Sequence, residues 1–234
     1  MGRALPNIES GDGNASAATE SGRSFGDAAR AYRDLTGVLP ETANIDGDAN
    51  FDRHVLASIL ALASSEGGRL SAQVGLTEVE LQELFSRCFA ARSIESSGDG
   101  VETLVDADEI EVVRELLLEN RSNDGDCSRW LAGMIARRAM EPNHLWEDLG
   151  LRDRSELTRL IARHFATLAR RNDKNMRWKR FIYRMMCEND GFVMCSTPVC
   201  SNCADYELCY GAETGTSRVA SEAQPPATPN GRTV

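Results

Sequence analysis

Long apolar runs are missing from this 234-residue chain. No stretch approaches the roughly 20 apolar residues of a membrane-spanning helix. The N-terminus carries Arg3 but no apolar segment of the secretory kind. Gly2 opens a chain that could be acylated, yet Pro6 stands where that motif wants Ser or Thr. These absences predict a cytoplasmic protein with no membrane partner. An excess of positive charge is also missing. The formal net charge is −10, which argues against a dedicated nucleic-acid binder. There is no Walker loop, no G-x-G-x-x-G, no H-E-x-x-H and no legible Ser/His/Asp arrangement, so neither a hydrolase nor a kinase is expected. Asp46, Asp48 and Asn50 imitate the start of a calcium loop, but Phe51 occupies the required glycine position and no Glu closes it. Period-two alternation of apolar and polar residues is scarce, so strands are not expected.

The acidic average hides an asymmetry. Arg129 to Arg184 holds 14 Lys/Arg against 6 Asp/Glu, leaving −18 on the rest of the chain. One basic stretch is embedded in an acidic protein. Hydrophobic residues make up 41% of the sequence, enough for a core. Residues 1–23 are rich in Gly, Ser, Ala and Asn, and residues 214–234 in Ser, Thr, Pro and Ala. Both read as disordered extensions flanking a folded domain at 24–213.

Inside that domain the dominant period is helical. Thr77 and Glu80 make a capping box ahead of Leu81, Leu84, Phe85, Cys88 and Phe89. Asp106 and Glu109 precede Ile110, Val113 and Leu117. Trp130, Leu131, Met134 and Ile135 form a stripe stopped by Pro142. Asp153 and Glu156 open a helix whose apolar face is Leu157, Leu160, Ile161, His164, Phe165 and Leu168. A further helix over about 175–187 buries Trp178, Phe181, Ile182, Met185 and Met186. Val55, Leu56, Ile59 and Leu60 suggest an earlier one. The expected fold is mainly α, a helical bundle with a C-terminal cysteine-rich metal-cluster loop at 187–209.

Of the 7 cysteines, five fall between Cys187 and Cys209. Without a secretory signal, this points to a metal site rather than a disulfide framework. Cys195, Cys200, Cys203 and Cys209 are spaced C-x4-C-x2-C-x5-C, and Pro198 favours a turning path between them. Four soft thiolates on one wrapping loop suit a polynuclear iron–sulfur cluster. Zinc is the alternative, although zinc ribbons use two C-x2-C knuckles and here there is one. Arg177, Arg180 and Arg184, at i, i+3 and i+7, would put a cationic face beside an anionic cluster or oxoanion, or simply form a solvated face. Cys187 and His144 are possible additional ligands. The plainer reading makes Cys187 a half-buried thiol at a helix end and His144 a loop or capping residue. Cys88 and His164 lie on apolar faces and read as core or boundary residues. Cys127, at a helix start, reads as part of a cap, or as a thiol acidified by the helix dipole.

The runs Trp130-Leu-Ala-Gly-Met-Ile-Ala-Arg-Arg, Pro142-Asn-His-Leu-Trp-Glu-Asp-Leu-Gly-Leu and Asn175-Met-Arg-Trp-Lys-Arg-Phe-Ile-Tyr-Arg resemble the NifQ family. So does Cys187-Glu-Asn-Asp-Gly-Phe with the four-cysteine loop after it. The likeness covers about 126–213 and reaches back to about Phe51. It implies a nitrogen-fixation protein that carries a molybdenum–iron–sulfur cluster on Cys195, Cys200, Cys203 and Cys209. It further implies that this is a carrier rather than an enzyme, delivering molybdenum for synthesis of the nitrogenase iron–molybdenum cofactor. The implied partners are the cofactor-assembly scaffold and the nitrogenase reductase. One loosely held corner of the cluster would permit transfer. Two other classes stay open at this level. One is a cluster-sensing regulator with a helix-turn-helix-like segment over 145–165, using Arg159 and Arg163 on phosphate. The other is a zinc-stabilised interaction module.

Overall fold

A computed structural model describes residues 27–90, 94, 106–189, 191 and 200–219. The expected N-terminal extension and Cys195 lie outside the described residues. The helices are α1 (27–36), α2 (Asp48–Ser65), α3 (Leu70–Val74), α4 (Glu78–Cys88), α5 (Ala107–Glu119), α6 (Asp126–Ala139), α7 (Leu145–Asp148), α8 (Arg154–His164), α9 (Ala166–Arg171), α10 (Trp178–Asn189) and α11 (Tyr206–Tyr210). Among the described residues there is no strand, so the mainly helical expectation holds. None of these helices is long and apolar enough to cross a membrane.

Local signals set several helix starts. Thr77 Oγ1 accepts from Glu80 N–H while the Glu80 carboxylate accepts from Thr77 N–H, closing the anticipated capping box. Asp106 caps α5 by accepting from the N–H groups of Asp108 and Glu109, and Asp153 caps α8 through Ser155 and Glu156. The last long helix runs Trp178–Asn189, shifted a few residues along from the expected span.

Two helices are buried far beyond a stripe. In α2 every residue from His54 to Ser64 is buried, because Ala57, Ala61, Ala63 and the serines between the larger side chains let neighbours approach on all sides. In α6 burial is continuous from Trp130 to Ala139 and includes Arg137 and Arg138. α5 packs along α6, α3 bridges α2 and α6, α7 links α6 to α8, and α10 lies on α5.

The α3–α6 crossing is backbone on backbone. Gly75 ends α3 with φ +66, and a Cβ there would come within 2.7 Å of the Gly133 carbonyl oxygen; a Cβ on Gly133 would meet the Gly75 oxygen at 2.7 Å. Gly133→Ala is therefore expected to destabilise the fold by about 1–3 kcal/mol. Calorimetry would read this as a fall of about 2–4 °C in melting midpoint per kcal/mol. An unchanged midpoint would show that the helices can part without cost.

The chain stays packed beyond the expected domain end at 213. Val219 is fully buried against Gly150, whose Cβ position lies 2.6 Å from Val219 Cγ2. Arg218 pairs with Glu66 at 3.0 Å and with Asp148 at 3.3 Å. Composition marks 214–219 as a tail, but one apolar residue and one arginine reach partners that are distant in sequence. Residues 220–234 lie outside the described residues.

Candidate metal centre

Three of the four motif cysteines are described, and all three are half-buried. Cys200 opens a single 3-10 turn, Cys200–Asn202, and Cys203 N–H donates to the Cys200 carbonyl at 3.0 Å. Cys209 sits in α11, a helix with no buried residue. The Tyr210 hydroxyl lies 3.6 Å from Cys200 Sγ, folding the turn back onto α11. Burial, then the hydrogen-bonded Cys200, pushes the Tyr210 phenol up to about 12, with Arg184 acting in the opposite sense. No disulfide joins Cys88, Cys127, Cys187, Cys200, Cys203 and Cys209. The donors described are soft sulfur atoms on half-buried residues, a type that suits iron–sulfur ligation. Cys187 lies in α10, half-buried, and is not drawn to any described cysteine by a hydrogen bond.

The loop is tied to α10 through its entry. Arg177 N–H donates to the Cys209 carbonyl at 2.8 Å, and its guanidinium donates to the carbonyls of Gly211 at 3.1 Å and Ala212 at 2.9 Å. Arg177, Lys179 and Arg180 line a cleft of about 480 Å³ together with His144, Leu208 and Glu213. Lys179 is anchored to Asp148 Oδ2 at 2.6 Å, and burial pulls its pKa down despite that partner. Arg180 has no ion-pair or hydrogen-bond partner among the described residues, which leaves its charge available to the cleft. Glu213, 4% exposed, pairs with Arg154 at 3.0 Å through Oε1, while its Oε2 is buried without a partner.

The three arginines expected on one face are divided. Arg177 holds the loop, Arg180 faces the cleft, and Arg184 donates to Glu188 at 2.7 Å beside a second cleft of about 300 Å³ bordered by Tyr210. His144 caps α7 and lines the first cleft, with Nδ1 3.9 Å from Glu213 Oε1. Lys179 and Glu213 carried no sequence signal of their own. Lys179 reads as one cation in a basic run, and Glu213 lies at the edge of the expected tail.

The segment that suggested a helix-turn-helix uses its basic residues internally. Arg159 donates to the carbonyls of Ile45 and Gly47 and stacks 3.9 Å from the Phe51 ring centroid. Arg163 forks onto Asp52 at 2.7 and 2.8 Å. Neither is left for phosphate.

The NifQ family model matches residues 55–211. The chain belongs to the NifQ family. It is 40% identical over 179 residues to a protein NifQ homolog of Sinorhizobium fredii, covering 74% of this chain and 77% of that one. Protein NifQ of Azotobacter vinelandii is 44% identical over 106 residues, 45% of this chain and 54% of the relative. Protein NifQ of Rhodobacter capsulatus is 34% identical over 159 residues, 68% and 87%. No solved structure matches the chain. Membership of the NifQ family carries a role in nitrogen fixation as an accessory protein. The family match spans Cys200, Cys203, Cys209, His144 and the arginines of α10.

Outside the motif, Cys127 and His164 meet Asp52. Cys127 lies in the first turn of α6, but the helix dipole does not acidify it. Burial first, then the Asp52 carboxylate and Cys88, push its thiol up to about 12. His164 is buried as expected of its apolar stripe, with both ring nitrogens engaged: Nδ1 lies 2.9 Å from Ser128 Oγ and Nε2 2.9 Å from Asp52 Oδ1. Asp52 had no sequence signal, since a lone carboxylate on a helix reads as solvated.

Proposed function

We propose that this protein is a molybdenum carrier: it holds a molybdenum–iron–sulfur cluster on Cys195, Cys200, Cys203 and Cys209 as cargo and passes molybdenum on for synthesis of the nitrogenase iron–molybdenum cofactor. The proposed recipients are the cofactor-assembly scaffold and the nitrogenase reductase. The observation that carries this reading is the cationic cleft beside the cysteine turn. Arg180 presents a guanidinium, unpaired among the described residues, in a space wide enough for a tetraoxoanion, and Arg177 and Lys179, held by backbone carbonyls and by Asp148, add positive charge to its wall. Molybdenum arrives in water as such an anion, and planar five-donor guanidinium groups bind oxoanions well. Arg177 couples the two regions, because the residue that lines the cleft also holds the Cys209–Ala212 backbone. An anion entering the cleft would lie next to the thiol-bearing segment. Surface placement of the turn and α11 suits release to a partner, since neither element contains a buried residue.

Anaerobic isolation from cells supplied with molybdate, followed by analysis for Mo, Fe and Zn, tests the proposal. A brown protein with iron and sub-stoichiometric molybdenum is expected, as befits a carrier that is partly unloaded. A colourless protein whose zinc disappears on exchanging Cys200 and Cys203 for alanine would overturn it.

A further inference from the structure

A second metal-type donor group lies away from the cysteine motif. Asp52 of α2, Cys127 of α6 and His164 of α8 offer one oxygen, one sulfur and one nitrogen, all within 4.8 Å of one another. Among the described residues this is the group of three such donors brought that close. The three belong to different helices, so the spacing is a product of packing and not of local sequence.

The hydrogen bonds around His164 fix the position of its ring. Gly125 N–H donates to the Asn123 side chain at 2.9 Å, so the atom it meets is the amide oxygen. Ser128 Oγ–H donates to that same oxygen at 3.2 Å. The Ser128 oxygen also lies 2.9 Å from His164 Nδ1. His164 Nε2 lies 2.9 Å from Asp52 Oδ1. The contact between His164 and Asp52 alone gives the Cys127 sulfur no role. A metal ion engages all three.

We propose that Asp52, Cys127 and His164 form a binding site for a divalent transition-metal ion of the zinc class, separate from the four-cysteine motif. One thiolate, one imidazole and one carboxylate make a borderline donor set of the kind zinc accepts, with the fourth tetrahedral position open. The Ser128–Asn123 chain holds the ring from behind, as outer partners do at histidine–metal sites. Arg163 forks onto the Asp52 carboxylate at 2.7 and 2.8 Å and is itself paired with Asp48 at 2.5 Å, so the carboxylate is aimed before any ion arrives. The ion with Arg163, set against Asp48, Asp52 and the Cys127 thiolate, makes a neutral group, so the site does not accumulate charge. Bound metal would pin α2, the start of α6 and the end of α8 together.

Cobalt(II) is the probe. In the full-length chain with Cys195, Cys200, Cys203 and Cys209 all exchanged for alanine, one equivalent of cobalt is expected to give a thiolate-to-metal band in the near ultraviolet and tetrahedral visible bands. Adding Cys127→Ser should abolish the near-ultraviolet band. Asp52→Asn and His164→Gln should each weaken binding by about 10-fold or more. No cobalt spectrum, or one unchanged by Cys127→Ser, would overturn the proposal. If the fourfold variant does not fold, as judged by circular dichroism, the same titration of the otherwise unaltered apoprotein with and without Cys127→Ser decides the matter. The difference should be one thiolate-bound equivalent, and its absence rejects the site. Because the motif is removed in one arm and constant in the other, the outcome is independent of the cluster.

Discussion

Cys203→Ala is expected to leave an anaerobic preparation with iron and molybdenum reduced about tenfold or more, while far-ultraviolet circular dichroism stays as in the parent. The magnitude follows from metal sites generally, where even outer partners are worth about 10- to 100-fold in affinity. The unchanged fold follows from where the residue sits. Cys203 is half-buried and outside the hydrophobic core, on a segment held mainly through backbone bonds to Cys200 and through Arg177. Cys88→Ala is the matched control: Cys88 packs against the core, and its exchange should leave iron and molybdenum untouched while lowering stability modestly. Equal metal content in Cys203→Ala and the parent would remove this residue from the cargo site.

Arg138→Met should cost about 3 kcal/mol of folding stability, near the lower edge of what breaking a buried ion pair costs. Arg138 is wholly buried; it donates twice to the Glu66 carboxylate, at 2.5 and 2.9 Å, and once to the Asp148 carbonyl at 2.7 Å. Its removal strands Glu66, which ends α2, and uncaps the carbonyl next to the turn that leads into α8. Arg218 still reaches Glu66, which is why the lower edge applies. Exchanging both residues, Arg138→Met with Glu66→Leu, should recover part of the loss, since no lone charge is then buried. A loss under about 1 kcal/mol in the single variant would mean that Arg218 replaces Arg138 outright.

The same network sets an acid limit. Burial alone would raise the Glu66 pKa, but the hydrogen-bonded Arg138, reinforced by Arg218 and Arg137, outweighs it and holds the carboxyl below its usual 4.5. A carboxyl lowered on folding contributes stability above its unfolded pKa and loses it as pH falls through the folded one. Denaturant midpoints should therefore drop as pH goes below 4.5, and less steeply in Arg138→Met, where the lowering has lost its main cause.

Much of the helical scaffold was legible because its signals are local. A capping carboxylate or hydroxyl acts on N–H groups two and three residues on, so Thr77, Asp106 and Asp153 announce α4, α5 and α8 without reference to the rest of the chain. The apolar faces of α8 and α10 repeat at helical spacing because each has a wet side. The four-cysteine spacing and the NifQ resemblance likewise stand in the linear order of residues. Periodicity was a poor guide where no side is wet: α2 and α6 are covered all round, so a stripe of four residues stood in for helices buried along most of their length.

What the sequence determined by itself is thus the helical class, the main helix starts and the family, since each rests on neighbours a few residues apart. The tertiary structure decided which charges are interior. Arg138 and Arg163 look like solvent-facing cations in a basic stretch, and become ion-pair partners of Glu66 and Asp52 only when α2 and its cap are folded against them. It also decided that Asp52, Cys127 and His164 share one small volume. Contacts between residues so far apart in the chain are bought with chain entropy across the whole fold, and they leave no periodic or spacing signal at any one of the positions involved.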